Sequence, residues 1–534
     1  MTDLDRVLEE FFDFWWAVEP THATTVGIHG HDGRLERWDP ASLAARGRGL
    51  RAFLQALEAA RADSVEASID RDLVANHIRW QLYSLEQVRG HEENPLLYLQ
   101  APLDALYLMA VRDYAPAGER ALAATDRLAA IPALLDEARA NLTRPARIFV
   151  ETAIAVARSG IGLLTGLLPV HLGRALEDDR AQFTRWTNAT RAAEEALVGF
   201  ATWLHDDALP RAGDRFASGD DAFRKQLAWQ HGLVSSPDEL AAWGEALRRD
   251  TLRELEHVAE HLIGRADWRA AVAALEARAA STDLVAAYAD AADRARAFLR
   301  ERRLVDFPPG EALQVTPTPE YLRPLIPYAA YLPPAAFEAE QRGTFLVTPA
   351  EDGAPGRPVS GIDLTTVHEA YPGHHLQFCW ANRAGSVPRR VFWSSLFAEG
   401  WALYSEDLMW REGFLAGPEH RLLQLKDLLW RACRVVVDVA LHTGGWDIAR
   451  ATDFLVSEAA LDDAGAAAEI RRYCGTPTQP LSYAVGMREI MRLRDLTRQR
   501  EGDDFSLRSF HDRLLAWGTI PPALVARGMG LEPA

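Results

Sequence analysis

The sequence has few cysteines and no long run of lysine or arginine, and each shortage argues against a class of protein. Only Cys379, Cys433 and Cys474 occur, an odd and sparse set that does not suit a disulfide framework, so a reducing cytoplasm is the expected location. The formal net charge of -18 argues against nucleic acid as a partner, because phosphate binding needs a clustered basic surface. The same charge disfavours an anionic membrane surface.

Signal-peptide and membrane-spanning patterns are also weak. The N-terminal MTDLDRVLEEFF is acidic and lacks the basic and apolar regions of a signal peptide. The most apolar stretch, residues 152–172, contains Arg158, several glycines and Pro169, which make it a poor transmembrane helix. We therefore expect a buried helix pair there and no membrane partner.

The order of the predicted elements indicates a mostly α-helical protein with a short β-rich insert. In residues 1–300, apolar residues recur at helical spacing within segments rich in Ala, Leu, Arg and Glu. Between Leu304 and Gly361 prolines are dense, and ALQVTPT and GTFLVTPA have the composition of short strands. We predict two closely packed lobes, a helical lobe at 1–300 and a catalytic lobe at 301–534 with a small antiparallel sheet beside the active-site helix.

The stretch HEAYPGHHLQ, residues 368–377, begins like the H-E-x-x-H motif of zinc peptidases but has proline where the second histidine belongs. In that motif two histidines one turn apart bind zinc, while the glutamate beside the first faces a bound water. In a straight helix, His375 rather than His374 would share the face of His368. Pro372 disturbs the helix, however, and a local bulge would bring His374 round to the metal. Periodicity alone leaves the choice between the two histidines open.

A zinc site of this kind needs a third protein ligand, and Glu399 in FAEGWALYSE is the best candidate. It lies among apolar and aromatic residues, where an unpaired carboxylate would be costly to bury. Glu406 falls on the same helical face and could orient a ligand histidine. The alternative is that adjacent histidines near Pro-Gly are ordinary surface residues. Three of the 16 histidines lie within this one short stretch, which supports the metal site against that alternative.

Several motifs in one order resemble those of a large, mostly bacterial family known as domain of unknown function 885. HEAYPGHHLQ resembles its H-E-x-x-P-G-H-x-x-Q motif, and AEGWALYSE resembles E-G-W-A-x-Y-x-E. RVVVDVALHTGGW resembles R-x-V-x-D-x-x-x-H-x-x-x-W, and RRYCGTPTQPLSYAVG resembles R-Y-x-x-x-P-x-Q-x-x-S-Y-x-x-G. PTHATTVGIHGHDGRL resembles the family's opening, so the likeness covers most of the chain. Pro480 and Leu481 depart from the small residues common there, away from the expected chemistry.

The resemblance implies a ligand set, because the family is grouped with gluzincin-like zincin metallopeptidases whose third ligand is a glutamate. The histidine after Pro-Gly recurs in the family, which implies His374 as second ligand, with His368 first and Glu399 third. Glu369 would be the general base, and the cofactor one Zn²⁺ ion or another divalent metal. His375 would then line the cleft or be a satisfied polar residue.

A zincin mechanism also needs a donor for the oxyanion formed when water attacks an amide. Tyr483 in QPLSYAVG could supply its hydroxyl, or it could be a packing residue. His442 in DVALHTGGW could do the same or bind substrate, or it could cap its helix. Asp438, one turn before His442, could fix the tautomer of that ring.

Two further features could contact substrate. Arg488 and Arg492 lie one turn apart and could bind a substrate carboxylate, although an ion pair with Glu489 or Asp495 is an equal alternative. The strand GTFLVTPA could pair with an extended substrate backbone if it lies at the edge of the sheet, by analogy with zincin peptidases.

Together these features predict a zinc-dependent hydrolase, most simply a metallopeptidase that cleaves peptide or amide bonds of short substrates. One alternative is a small-molecule amidase or natural-product tailoring enzyme on the same metal scaffold. The other is a non-catalytic helical binding protein, against which Glu369 argues because a structural metal site needs no base. No oligomeric state follows from the sequence.

Overall fold

The computed structural model of this chain describes residues 2–278, 283–318, 323, 329–349 and 358–531. The chain divides into two compact units. Unit 1 comprises Met1–Phe216 with Ala335–Glu340, and unit 2 comprises Ala217–Pro334 with Gln341–Ala534. This division differs from the predicted boundary at residue 300, because the helices that follow residue 217 pack with unit 2.

Unit 1 is built from α-helices, as the periodicity of its sequence predicts. The first helix shows why they form: Thr2 and Asp5 make a capping box at its N-terminus, and its apolar face buries Phe11 and Trp15. The α-helices of this unit are α1 Asp3–Val18, α2 Pro20–Val26, α3 Pro40–Ala59, α4 Val65–Tyr83, α5 Gln100–Val111, α6 Ala117–Asn141, α7 Arg147–Gly162, α8 Leu168–His171 and α9 Arg180–Trp203.

The apolar stretch in which we expected a buried helix pair forms one run of helix. A π-helical turn at Leu163–Leu167 joins α7 to α8. Within the described part of the chain, Arg147–His171 is the one helix long and apolar enough to cross a membrane. Core helices of soluble proteins pass the same test, so this segment alone does not indicate a membrane protein.

Unit 2 holds the remaining helices and the sheet. Its α-helices are α10 Asp220–His231, α11 Pro237–Ile263, α12 Trp268–Glu276, α13 Leu284–Arg302, α14 Val359–Glu369, α15 His374–Ala381, α16 Val387–Val391, α17 Ser395–Arg411, α18 Pro418–His442, α19 Ile448–Ala459, α20 Asp463–Gly475, α21 Ser482–Glu501, α22 Leu507–Leu515 and α23 Pro522–Gly528. The long helices α11, α17, α18 and α21 share a core that includes Leu240, Leu403, Val435 and Val485.

The sheet of unit 2 is mixed, so the prediction of an antiparallel sheet is wrong. Its strands are β1 Ala312–Pro317, β2 Ala329–Leu332 and β3 Arg342–Val347, in the order β1-β3-β2. The central strand β3 is parallel to β1 and antiparallel to β2. GTFLVTPA supplies most of β3, and its last residue, Ala350, lies outside the described residues. Because β3 has a neighbour on each side, it is not the edge strand we expected to be available to a substrate.

Candidate metal centre

The HEAYPGH segment folds as two helices joined by a tight loop. The first helix, α14, ends at Glu369, and α15 begins at His374, with a cis peptide bond at Tyr371-Pro372 between them. A Cβ atom on Gly373 would lie 1.8 Å from the carbonyl oxygen of His368, so the loop can close only on glycine. The expected bulge is therefore a complete break in the helix.

This break brings His374 next to His368, and both rings face Glu399 on α17. The Nε2 atom of His374 lies 3.3 Å from Oε2 of Glu399, and Nε2 of His368 lies 3.8 Å from the same oxygen. One ligand atom from each residue lies within 4.8 Å of the other two. Tetrahedral zinc bonds of about 2.0–2.1 Å would separate two ligand atoms by about 3.3 Å. This donor set therefore suits a zinc-like ion.

Glu406 holds the His368 ring from the other side. Its Oε1 atom lies 2.7 Å from Nδ1 of His368, and both side chains are buried. When Nδ1 carries the proton and donates it to this carboxylate, the lone pair of Nε2 is directed toward Glu399. A carboxylate behind a metal-binding histidine acts in this way.

Burial and neighbouring charges set the protonation of the cluster in the absence of a metal. Burial lowers the pKa of His368 to about 4, and raises that of Glu406 to about 8. Burial also opposes charge on Glu399, yet its hydrogen bond to His374 lowers its pKa to about 2. Burial disfavours charge on His374 too, but the same bond raises its pKa to about 9. An incoming cation would therefore compete with the proton of His374.

Glu369 ends α14 beside the cluster and is half-buried. Glu369 directly follows His368 in the chain, and its negative charge favours the protonated forms of both His368 and His374. From such a position a carboxylate can take a proton from a water molecule held by the cluster.

Tyr483, in the first turn of α21, lies on another side of the cluster. Its ring is within 18° of parallel to the His368 ring, with centroids 6.3 Å apart. The Nε2 amide of Gln479 donates to the Tyr483 hydroxyl at 3.4 Å and to Oε1 of Glu399 at 3.3 Å. The hydroxyl thus keeps its own proton for another acceptor. Gln479 is not among the residues that the sequence singled out. Its position four residues before Tyr483, and its place in the motif that contains that tyrosine, could have indicated it.

Two glycines allow α17 and α21 to touch at the level of the cluster. A Cβ atom on Gly400 would lie 2.4 Å from the carbonyl carbon of Gly486. A Cβ atom on Gly486 would lie 1.9 Å from the carbonyl oxygen of Leu396. Glu399 adjoins one of these glycines and Tyr483 lies one turn before the other, so this contact sets the distance between the two side chains.

Gly486→Ala is therefore expected to destabilise the protein by about 1–3 kcal/mol or more, because the added methyl group must push the two helices apart. The midpoint of urea or thermal unfolding measures the effect. Gly162→Ala is the matched control, since a Cβ atom at that helical glycine meets nothing within 4 Å. The control should be neutral or stabilising by up to about 1 kcal/mol. Equal unfolding midpoints for Gly486→Ala and the native chain would contradict the close contact.

His375 points away from the cluster into a second buried network. Its Nε2 atom lies 2.9 Å from Oε1 of Glu311, and its Nδ1 atom lies 2.9 Å from the Tyr331 hydroxyl. Arg296 and the Tyr371 hydroxyl also bind Glu311. Of our two expectations for His375, a satisfied polar residue fits this placement, and a cleft-lining residue does not.

Backbone groups bind both His442 and Asp438. The Nδ1 atom of His442 accepts the Ser218 N–H at 3.2 Å, and Nε2 lies 3.1 Å from the carbonyl oxygen of Tyr473. Both ring nitrogens are therefore engaged by the backbone, which does not support the predicted catalytic role. Asp438 accepts two backbone N–H groups within residues 478–481, each at 3.2 Å, rather than a proton from the histidine.

Arg488 and Arg492 lie on a different face of α21. Both pair with Glu489, at 3.1 and 2.9 Å, and Arg488 also stacks over the Trp243 ring at 4.7 Å. They border a mostly apolar groove of about 440 Å³. Of the two alternatives predicted for these arginines, the structure shows the ion pair with Glu489. Neither arginine contacts His368 or His374 in the described part of the chain.

Comparison with known proteins identifies the family and the fold. A candidate lipoprotein of unknown function from Shewanella oneidensis has a TM-score of 0.83 and 22% identity, over 99% of this chain and 100% of that chain. The candidate lipoprotein from Colwellia psychrerythraea has a TM-score of 0.82 and 19% identity, over 99% of each chain. Identity this low shows a shared fold alone, and no curated protein matches significantly. Residues 20–529 match the family described as "Bacterial protein of unknown function (DUF885)", and the chain therefore belongs to that family.

Proposed function

We propose that this protein is a metal-dependent hydrolase that cleaves peptide or related amide bonds in short substrates. The observation that carries the proposal is the convergence of His368, His374 and Glu399 on one point, with Glu369 next to His368 at the end of α14. Two imidazoles and one carboxylate are a donor set of catalytic zinc sites. A structural metal site would need the ligands but no adjacent base.

His368, His374 and Glu399 would hold one Zn²⁺ or another divalent ion, and Glu406 would keep His368 in the ligating tautomer. The ion, when bound, would polarise the substrate carbonyl and lower the pKa of a bound water. The protein supplies the remaining steps through its own side chains.

Glu369 takes the proton of the attacking water and later delivers it to the leaving amine. Tyr483 donates a hydrogen bond to the carbonyl oxygen as negative charge develops there. Gln479 binds both the Tyr483 hydroxyl and Glu399, and so holds the donor at a constant distance from the ligand.

Metal content and activity measured on one preparation test the proposal. We expect close to one zinc ion per chain after reconstitution, and cleavage of members of a mixed pool of short peptides that stops when a chelator is added. Metal binding with turnover of only a non-peptide amide would indicate an amidase or tailoring enzyme instead. Failure to bind metal under any loading condition would contradict the proposal and favour a helical binding protein.

Tyr483→Phe is expected to lower kcat by about 10²-fold, in line with the loss of one oxyanion donor. Metal content and unfolding temperature should change little, because the ring keeps its packing against His368. Steady-state kinetics on the best peptide of the pool measure the effect. A normal kcat would show that the Tyr483 hydroxyl does not act on the substrate.

A further inference from the structure

Behind Tyr483 lies a buried arginine, Arg434 of α18, which none of the proposed steps uses. Only 4% of this residue is exposed. Its Cζ atom lies 4.1 Å from the centroid of the Trp430 ring and 4.6 Å from that of the Tyr483 ring. Stacking on two aromatic rings holds the planar guanidinium in one orientation.

One nitrogen of this guanidinium has no partner. Its Nε atom donates to the Tyr473 hydroxyl at 2.7 Å, and Nη2 pairs with Glu469 at 3.1 Å. The Nη1 atom of Arg434 is buried and meets no acceptor within the described part of the chain. Buried charged donors are rarely left unsatisfied in proteins, so this nitrogen points to an acceptor that arrives with a ligand.

Arg472 of α20 joins Arg434 to the residues of the cluster. Its Nη2 atom also pairs with Glu469, at 2.8 Å, so two arginines share one carboxylate. The three side chains together carry a net charge of about +1. Its Nη1 atom donates to Oε1 of Gln479 at 2.7 Å. The carbonyl side of that amide is therefore occupied, and its NH₂ group faces Glu399 and Tyr483.

The distance from Arg434 to His368 is limited by the contacts that each makes with the Tyr483 ring. Its ring centroid lies 6.3 Å from that of His368 and 4.6 Å from Cζ of Arg434. The sum of these two distances is about 11 Å, and Cζ of Arg434 can lie no farther than that from the centroid of the His368 ring. Three residues of an extended peptide span about the same length.

We infer that Arg434, with Arg472 and Gln479 behind it, binds the α-carboxylate at the C-terminus of a short peptide substrate. This inference rests on the proposed hydrolase function and narrows its substrate class. A carboxylate is planar and negatively charged, and it suits a rigid guanidinium donor. Because the arginine is so close to the cluster, the scissile bond lies within about three residues of the C-terminus. The enzyme then releases one residue or a very short peptide from that end.

Calorimetric binding to the zinc-loaded Glu369→Gln chain tests the inference without turnover. The probes are a neutral tripeptide with a free C-terminus, the same tripeptide as its C-terminal amide, and the amide carrying one Asp side chain. We expect the free acid to bind at least about 10-fold more tightly than either amide. Equal affinities of acid and amide, or binding of neither, would overturn the inference, and this comparison requires no change at Arg434.

Substitution then assigns the effect to the arginine. Arg434→Gln in the same background should reduce the affinity for the acid to that for the amide, and Arg434→Lys should restore part of the difference. Arg450→Gln is the matched control, because the Arg450 guanidinium also stacks on tryptophan, with Cζ 4.3 Å from the Trp446 ring, but at an exposed site. The control should leave both affinities unchanged. An intact acid preference in folded, zinc-loaded Arg434→Gln would overturn the assignment.

The same probes separate this inference from the proposed function. A preference for the acid in a protein that hydrolyses no peptide would refute the proposed function but support the carboxylate subsite. Hydrolysis of acid and amide at equal kcat/KM by the native protein would support the function and refute the subsite.

Discussion

His374→Asn is expected to abolish metal binding at micromolar metal and, with it, all measurable hydrolysis. Of the two histidines, His374 lies closer to Glu399, at 3.3 Å against 3.8 Å for His368, and its loss would leave only two of three ligands. Loss of a residue behind a ligand already weakens metal binding by about 10–100-fold, so loss of a ligand should exceed that range. Metal content after dialysis and zinc-dependent activity measure the two effects.

The neighbouring residue provides a matched control. His375→Asn removes the same chemical group from the next position, but His375 binds Glu311 and Tyr331 rather than Glu399. We expect this variant to retain metal while losing about 1–3 kcal/mol of unfolding free energy, because the buried Glu311 carboxylate loses a partner. Metal retained by the His374 variant and lost by the His375 variant would show that the ligand set is wrong.

Glu369→Gln is expected to retain the metal and to lower kcat by about 10²–10⁴-fold. The amide has nearly the same shape as the carboxylate but cannot accept the proton of the attacking water. Glu369 is not one of the three clustered ligand-type residues, so zinc content should remain that of the native chain. Metal content and kcat on one peptide substrate are both needed, because activity alone would not distinguish this variant from a metal-free protein.

Glu276→Gln serves as the control for the loss of a helix-terminal carboxylate. Glu276 also ends its helix, and its side chain is 55% exposed beside Lys426. Both zinc content and kcat should be unchanged in this variant. Near-normal turnover in Glu369→Gln would show that another group activates the water.

Features that depend on neighbours in the chain were accessible from the sequence. Helical periodicity is local, and the mostly helical class it predicted is confirmed. The two β-rich segments were also located correctly. The pairing of the strands was not predicted correctly. The position of a strand in the sheet depends on contacts between strands that are far apart in the sequence. The cytoplasmic location expected from the cysteine content stays a prediction.

The residue types of the candidate metal centre could likewise be read from the sequence, but their arrangement could not. Helical geometry left His374 and His375 as alternatives, and only the break closed by Gly373 turns the first toward Glu399 and buries the second against Glu311. The same limit explains why the sequence showed neither the backbone contacts of His442 nor the contacts of Gln479 with Glu399 and Tyr483.

The approach of α17 to α21 through Gly400 and Gly486 brings Tyr483 to Glu399, and packing against α18 places Arg434 beside that tyrosine. These contacts join residues of separate helices. Their geometry is set by how the helices pack, a property that no pattern within a single helix encodes.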